Sequence, residues 1–140
     1  MCWACSITLA VQRLPLGDYL IDGRILFERK TLLDFAESIQ DGRLFKQVCR
    51  LAASPKKTVI LLEGTSADIA TSGMRREAIQ GALITLSVIF GIPLLRSVSP
   101  EESARLMVYA ARQIQTVVSG AIARKGARPR GKRGLQLYIL

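Results

Sequence analysis

The sequence predicts an α/β fold in which a central mixed sheet is flanked by helices. Short apolar segments with β-branched residues alternate with helical patterns, and a turn signal joins two of the strand-like segments. Of the 140 residues, 49% are hydrophobic. A chain of this length and composition can build one core of its own. Strands that come first and then alternate with helices favour a sheet that is covered by helices.

The N-terminal half is predicted to contribute a hairpin followed by a helix. Its elements are, in order, a strand at 6–14, a break at 15–18, a strand at 19–21, a turn at 22–23, a strand at 25–29 and a helix at 32–39. Asp22-Gly23 is a strong hairpin signal. Thr31 can cap the helix, and Asp34 then lies in the first helical turn, where the helix dipole favours a carboxylate.

The C-terminal half alternates helices with strands. Its predicted elements are a helix at 43–53, a strand at 58–62, a helix at 75–90, a strand at 92–96 and a helix from 101 to about 118. Leu44, Val48 and Leu51 recur at helical spacing. Residues 58–62 are suited to a strand that is buried on both faces. Ser99, followed by a proline and two acids, is typical of a helix start.

Several classes of site are excluded or disfavoured by composition. The chain has no histidine, which removes histidine-based zinc sites and Ser-His triads. Its three cysteines do not form a disulfide framework, and free thiols in a reducing compartment are expected. The apolar run at 82–95 is too short to span a membrane, and no signal peptide precedes the first strand. We therefore expect an intracellular protein without a membrane partner.

The positive charge is concentrated at the C-terminal end. Residues 1–111 carry 13 basic and 11 acidic side chains, whereas residues 112–140 carry 7 basic and no acidic ones. Such a tail favours a polyanion as partner, although a solvated linker without a partner has the same composition. The basic residues of the tail that are candidates for DNA binding are Arg124, Lys125, Arg128, Arg130, Lys132 and Arg133.

Three acids and a lysine are closely spaced around the predicted hairpin. Asp18 and Glu28 lie on neighbouring strands, which are about 4.8 Å apart, so both carboxylates can reach one Mg²⁺ or Mn²⁺ ion. Lys30 projects to the same face as Glu28 and can orient a water or stabilise charge on a phosphate. This is the minimal chemistry of a metal-dependent nuclease. A solvated strand face is the alternative for a Glu-x-Lys pair.

A longer pattern around these residues resembles the nuclease domain of the XPF family and its archaeal Hef relatives. The family signature is Gly-Asp, a short gap, Glu-Arg-Lys, three residues and Asp, and this sequence matches it in full. The similar segments are Leu16–Ile21, Phe27–Lys30, Asp34-Phe35, Ser38-Ile39, Asp41–Phe45, Gln47, Val59–Glu63, Glu77–Ala82, Phe90–Pro93 and Ser99–Glu102. The resemblance therefore covers about residues 8 to 118.

The resemblance implies a restriction-endonuclease-like fold and an endonuclease that uses Mg²⁺ or Mn²⁺ to cut branched, forked or flapped DNA during repair or recombination. Asp18 and Glu28 would bind the metal together with the backbone carbonyl of Arg29. Lys30 would be the catalytic lysine, and Asp34 would complete the acidic cluster at the metal, either as a ligand or through a metal-bound water. Two residues that follow on the next helix, Arg43 and Gln47, are expected either to contact DNA or to pack and cap that helix.

Members of the family commonly dimerise through their later helices. The apolar stripe at 79–90 and the helix at 101–118 are candidates for contact with a like or an unlike subunit, with ordinary core packing as the alternative. The expected location of such a DNA-binding protein is the cytoplasm or nucleoid of a prokaryote, or the nucleus of a eukaryote.

The match to the family differs at both ends. Residues 1–6 lack the family's opening Asp-x-Arg-Glu strand, so residues 1–118 are expected to form a nuclease domain without its first strand and helix. Residues 119–140 are expected to be a basic linker that leads toward a helix-hairpin-helix module. Two hypotheses follow: an active nuclease, or a catalytically weak subunit that binds DNA or acts as a scaffold.

Overall fold

The computed structural model describes residues 10, 14 and 17–123, and its strands form one mixed four-stranded sheet. In chain order the strands are β1 (Tyr19–Ile21), β2 (Ile25–Thr31), β3 (Lys57–Glu63) and β4 (Leu94–Ser97). The spatial order is also β1-β2-β3-β4. The hairpin strands β1 and β2 are antiparallel, whereas β3 runs parallel to both of its neighbours. The predicted α/β class with a mixed sheet is therefore confirmed.

Helices cover both faces of this sheet. They are α1 (Leu32–Gln40), α2 (Arg43–Ala52), α3 (Ser66–Ser72), α4 (Arg76–Ile84) and α5 (Pro100–Ala123). The predicted cap of α1 is present, because Thr31 Oγ1 accepts a hydrogen bond of 3.1 Å from the Asp34 amide. At the start of α5, Ser99 Oγ accepts one of 3.2 Å from the Glu102 amide. Both caps satisfy amides that have no partner within their helix.

The two faces of the sheet carry separate apolar clusters. One cluster joins Ile60 and Leu62 of β3 to side chains of α1, α2 and α4, including Leu32 and Phe35. The other joins Phe27, Val59 and Leu61 to Met107 of α5. Because side chains alternate along a strand, consecutive residues of β2 serve different clusters. Glu28 and Lys30 therefore face α1 and α2, whereas the neighbouring Arg29 faces α5.

Three predicted elements differ from the structure or lie outside its described part, and one helix of the structure was not predicted. The strand predicted at 6–14 falls mainly on residues outside the described part of the chain. Helix α3 was not predicted. The helix predicted at 75–90 is α-helical only to Ile84 and continues as a π-helical segment, Thr85–Ile89. Helix α5 extends to Ala123, beyond the predicted end near Val118.

The end of α4 and the π-helical segment expose large apolar side chains. Ile84, Val88 and Ile89 are 56%, 74% and 71% exposed, respectively. Single exposed apolar residues are common on proteins, but a contiguous group is typical of an interaction surface. No helix within residues 17–123 has the length and the apolar run needed to cross a bilayer.

Candidate active site

The β1–β2 hairpin places Asp18 across from Glu28. Tyr19 pairs with Phe27 in the antiparallel register, and the amide of Asp18 donates a hydrogen bond of 2.9 Å to the Phe27 carbonyl. The side chain of Asp18 then lies against β2, where its Oδ2 accepts a hydrogen bond of 2.9 Å from the Arg29 amide. The carboxylate is thereby held over the strand that carries Glu28.

Gly17 makes the turn that leads into this position. Its φ is +77°, a backbone conformation that is strained for residues with a Cβ atom. A Cβ atom added here would also lie 3.4 Å from Leu26 Cδ2. A glycine directly before Asp18 therefore lets the chain approach β2 closely enough for the Asp18 carboxylate to reach the Arg29 amide.

Glu28 is half-buried beside other negative charges. Burial is the largest cause that raises the pKa of its carboxyl group, and the nearby charge of Asp18 raises this pKa further. Lys30 acts in the opposite direction. The net direction is upward, so the positive charges of the chain do not fully compensate the ionised form of Glu28. A cation bound here would favour the ionised form of Glu28.

Lys30 is buried on the same face of β2 as Glu28, with 5% of its side chain exposed. Its Nζ atom donates hydrogen bonds to Asp34 Oδ2 at 2.8 Å and to Gln47 Oε1 at 2.9 Å. An ammonium group has three donors, so these two bonds leave one N–H for a further acceptor. Helix α1 supplies the first acceptor and helix α2 the second, which fixes the direction of the lysine head group.

Arg29 lies on the opposite face of the sheet, as strand alternation predicts. Its guanidinium forms two hydrogen bonds with the buried carboxylate of Glu63, one of them between Nε and Oε1 at 2.8 Å. Ser103 Oγ also donates to Glu63 Oε1 at 2.7 Å, and it bonds Ser97 Oγ in turn. Hydrogen bonding from Arg29, followed by that from Ser103, lowers the pKa of Glu63.

Sequence reasoning assigned no role to Glu63, Ser97 or Ser103. One signal was present in the sequence, because Glu63 follows five apolar or β-branched residues of a predicted buried strand. A carboxylate at such a position requires a buried partner. The partner itself, Arg29, is 34 positions away in the chain, and its identity depends on the parallel register of β2 and β3.

Arg43 and Gln47 of α2, which were expected to contact DNA, already interact with other side chains of the protein. Arg43 Nε lies 2.7 Å from Asp41 Oδ2, and its Nη2 lies 3.7 Å from Asp34 Oδ1. Gln47 accepts the hydrogen bond from Lys30. The six basic residues predicted to bind DNA at 124–133 lie outside the described residues.

An open cleft of about 300 Å³ runs beside the two carboxylates. The cleft is lined by Leu14, Gly17, Asp18, Glu28, Gln47, Arg50 and Leu51. Carboxylate oxygens suit Mg²⁺ and Mn²⁺, and Mg²⁺ is often held by only one or two carboxylates with waters in its remaining positions. Residues 17–123 contain no group of three or more histidine, cysteine, aspartate or glutamate side chains placed to bind a metal. The described donors therefore fit a hydrated, two-carboxylate site.

Known proteins resemble this chain in sequence over most of its length. The chain matches the ERCC4 domain over residues 5–110. It is 34% identical over 107 residues to a Methanocaldococcus jannaschii protein that is named as an ATP-dependent RNA helicase, a match that covers 76% of this chain and 13% of that protein. It is 28% identical over 110 residues to the 3′-flap repair endonuclease Xpf of Saccharolobus solfataricus, covering 79% of this chain and 47% of that protein. The chain thus spans less than half the length of these curated relatives.

A solved structure agrees with this result in fold and in sequence. XPF from Aeropyrum pernix, in complex with DNA, superposes with a TM-score of 0.66 at 35% sequence identity. The match covers 91% of this chain and 58% of the other. Family match and fold agree, and we conclude that this chain belongs to the ERCC4 domain family and carries an XPF-type nuclease domain.

Proposed function

We propose that this chain is the catalytic domain of a metal-dependent endonuclease that cuts branched, forked or flapped DNA. The observation that carries the proposal is the pairing of Asp18 with Glu28 at the hairpin, with Lys30 held on the same face of β2. Membership of the ERCC4 domain family supports it. Two similar proteins are named as a 3′-flap repair endonuclease and as an XPF in complex with DNA.

In this proposal Asp18, Glu28 and the backbone carbonyl of Arg29 hold Mg²⁺ or Mn²⁺. When bound, the metal supplies Lewis acidity toward a phosphoryl oxygen and lowers the pKa of a water. Asp34 completes the acidic cluster, either as a direct ligand of the metal or through a metal-bound water. Its hydrogen bond to Lys30 Nζ keeps the ammonium group at the site.

Lys30 supports the phosphodiester cleavage directly. Two of its three donors are engaged by Asp34 and Gln47, and the third is available to a water or to a phosphate oxygen. A pre-positioned cation stabilises the charge that develops on phosphate in the transition state. Because the ammonium group is nearly buried, this electrostatic effect is stronger than it would be in open solvent.

A weaker, DNA-binding or scaffolding subunit is the second candidate function. The observation that favours it is the small number of ligands, because no group of three metal-binding side chains occurs within residues 17–123. In this case DNA would be bound without efficient cleavage. Either function implies a location in the cytoplasm or nucleoid of a prokaryote or in the nucleus of a eukaryote. Both functions are compatible with a role in repair or recombination.

A cleavage assay separates the two candidates. Labelled forked DNA is incubated with Mn²⁺ and the wild-type protein, Asp18→Ala or Lys30→Met, with EDTA as the metal-free control. Methionine retains most of the volume of the buried Lys30 stem, so folding should survive. The nuclease proposal expects cutting by the wild type alone and unchanged DNA affinity for Lys30→Met. DNA binding by a folded wild type without cutting would favour the scaffold.

Metal binding gives a second readout that does not depend on cleavage. Titration of Mn²⁺, followed by electron paramagnetic resonance, should show a site in the wild type that is lost in Asp18→Ala. Asp22→Ala is the matched control, since Asp22 lies in the exposed hairpin turn outside the cleft. Equal Mn²⁺ binding by all three proteins would contradict the proposed metal site.

We further propose that the basic residues Arg124, Lys125, Arg128, Arg130, Lys132 and Arg133 add non-specific DNA affinity. Each phosphate that they neutralise would release a counterion and increase the salt dependence of binding. We also propose that the exposed apolar side chains of Ile84, Val88 and Ile89 contact a second ERCC4-type subunit, identical or different.

A further inference from the structure

Helix α2 presents one line of polar side chains to the candidate active site. Arg43, Gln47 and Arg50 are spaced at i, i+4 and i+7, which places them on one face of the helix. Arg43 is paired with Asp41 and Asp34, and Gln47 is bonded to Lys30. Two of the three positions therefore act within the protein, and the third requires a separate explanation.

Arg50 differs from the other two because its guanidinium is available. It is exposed, and within residues 17–123 no carboxylate lies within ion-pair distance of it. It lines the same open cleft as Asp18 and Glu28, and it is close enough for its positive charge to act on Glu28. A free arginine therefore lies beside the two carboxylates that are proposed to hold the metal.

The chemistry of the proposed substrate matches this arrangement. A DNA strand that approaches the two carboxylates carries phosphates that these carboxylates repel, and a cation that lines the same cleft offsets part of this repulsion. Arginine binds phosphate through two parallel N–H···O bonds, with more geometric specificity than lysine. Arg43 already has two carboxylate neighbours, Asp41 and Asp34, whose negative charges offset part of its attraction for a phosphate.

We propose that Arg50 binds a backbone phosphate of the DNA strand beside the bond that is cut. The inference rests on the proposed nuclease function and goes beyond it, because it assigns the phosphate contact of α2 to its last turn rather than to Arg43 or Gln47. Arg50 thus binds and positions the substrate, while Lys30 acts at the reacting phosphate.

A purely structural role is the alternative. Arg50 lies in the last turn of α2, where a cation interacts favourably with the helix dipole. That role would be retained by Arg50→Lys and would not depend on DNA. A phosphate contact instead predicts that DNA affinity and its dependence on salt both decrease when the charge of Arg50 is removed. It also predicts that lysine, which lacks the planar guanidinium, restores only part of the affinity.

The test is equilibrium binding of the wild-type protein and its variants to forked DNA, in Ca²⁺ to prevent cutting, at several salt concentrations. Arg50→Gln should bind about tenfold more weakly, and the slope of log K against log salt should decrease in magnitude by about 0.9, the value for one lost phosphate contact. Arg50→Lys should recover the slope and only part of the affinity. Arg76→Gln is the matched control, because Arg76 is exposed at the start of α4 and does not line the cleft.

Three outcomes would overturn the inference. Equal slopes for Arg50→Gln and Arg76→Gln, with cleavage by the wild type, would reject the phosphate contact of Arg50 and leave the proposed nuclease function standing. A lower thermal stability of Arg50→Gln with an unchanged slope would show that Arg50 stabilises the C-terminal end of α2 and does not bind a phosphate. A wild-type protein that neither binds nor cuts DNA would reject the proposed function, and Arg50 with it.

Discussion

Lys30 is a charged residue whose side chain is buried at the candidate active site. Its side chain is 5% exposed, and a charged group at such depth needs partners. Asp34 and Gln47 provide them from two different helices. The position of the ammonium group therefore depends on α1 and α2 together, and not only on the strand that carries it.

We predict that Gln47 positions Lys30. Gln47→Leu removes an acceptor from the lysine, and cleavage should fall by roughly ten- to a hundredfold, since small displacements of a catalytic group have effects of this size. The loss should appear in kcat, with KM and DNA affinity nearly unchanged, and Gln47→Glu should recover part of it. Gln40→Leu, at the exposed end of α1, is the control. A change in KM alone would indicate a DNA contact instead.

Sequence alone predicted the faces of these residues but not their partners. Period-two alternation, continued one residue past the predicted strand at 25–29, placed Glu28 and Lys30 on one side and Arg29 on the other, and the structure agrees. The bond between Lys30 and Gln47 joins residues 17 positions apart, and that between Arg29 and Glu63 joins residues 34 apart. Such pairs depend on the packing of helices and on strand register, which local patterns do not contain.

Among the elements, α1 begins at the residue that the sequence predicted, and its cap was predicted as well. Thr31 accepts from the Asp34 amide, so the cap and the acidic residue proposed for the site belong to the same turn. Helix α3 shows the opposite case. Its seven residues bury no side chain, so no apolar periodicity marks it. The available signal was the capping box between Thr65 and Asp68.

Loss of the α1 cap should lower the stability of the protein. We expect Thr31→Ala to lower the free energy of unfolding by about 1 kcal/mol, the usual effect of removing a capping hydroxyl. Thr31→Ser retains the hydroxyl and should behave as the wild type. Urea denaturation measures the difference. Equal stability of the alanine and serine variants would show that this cap contributes little.

At the scale of the whole molecule, Glu63 joins the parallel strands to α5. Arg29 of β2 and Ser103 of α5 both donate hydrogen bonds to its carboxylate. A hydrogen bond to a charged group contributes about 1.5–3 kcal/mol. Glu63→Gln should therefore lower the free energy of unfolding by about 2 kcal/mol.

The same carboxylate should make stability depend on acid. The pKa of Glu63 in the folded protein is lowered from its ordinary value of 4.5, so the unfolded chain binds this proton more readily than the folded protein. The contribution of Glu63 is complete above about pH 4.5 and is lost as pH falls through the lowered folded pKa. Denaturation between pH 6 and 3 should show a steeper loss for the wild type than for Glu63→Gln. The control is Glu77→Gln at an exposed position, and parallel curves for Glu63→Gln and the wild type would exclude the effect.

Association with a second subunit should depend on the apolar surface at the end of α4. Val88→Asp with Ile89→Asp should convert a dimer to a monomer in light scattering, because the two exposed side chains would place charges in a desolvated interface. Leu33→Asp is the matched control, since Leu33 is an exposed apolar residue on α1. A wild-type monomer at high concentration, with no ERCC4-type partner bound, would contradict the proposed interface.

The fold as a whole was more predictable than its details. The hairpin, the buried strand β3 and the caps of α1 and α5 all have local signals, and they were enough for the α/β class. The π-helical segment was missed because Thr85–Ile89 continues the apolar composition of α4. Its wider turn is visible only in the backbone bond from the Phe90 amide to the Thr85 carbonyl at 3.0 Å.

The neighbours Glu28 and Arg29 differ in what their loss would mean during evolution. Glu28 faces the cleft, whereas Arg29 holds β2 to Glu63 on the far side of the sheet. A lineage that abandoned cleavage could replace Glu28 freely, and Lys30 by any side chain that fills its space, but replacing Arg29 would leave the buried Glu63 without its charged partner. Decayed copies of this domain should therefore keep an arginine between two altered positions, and that arginine would record ancestry rather than activity.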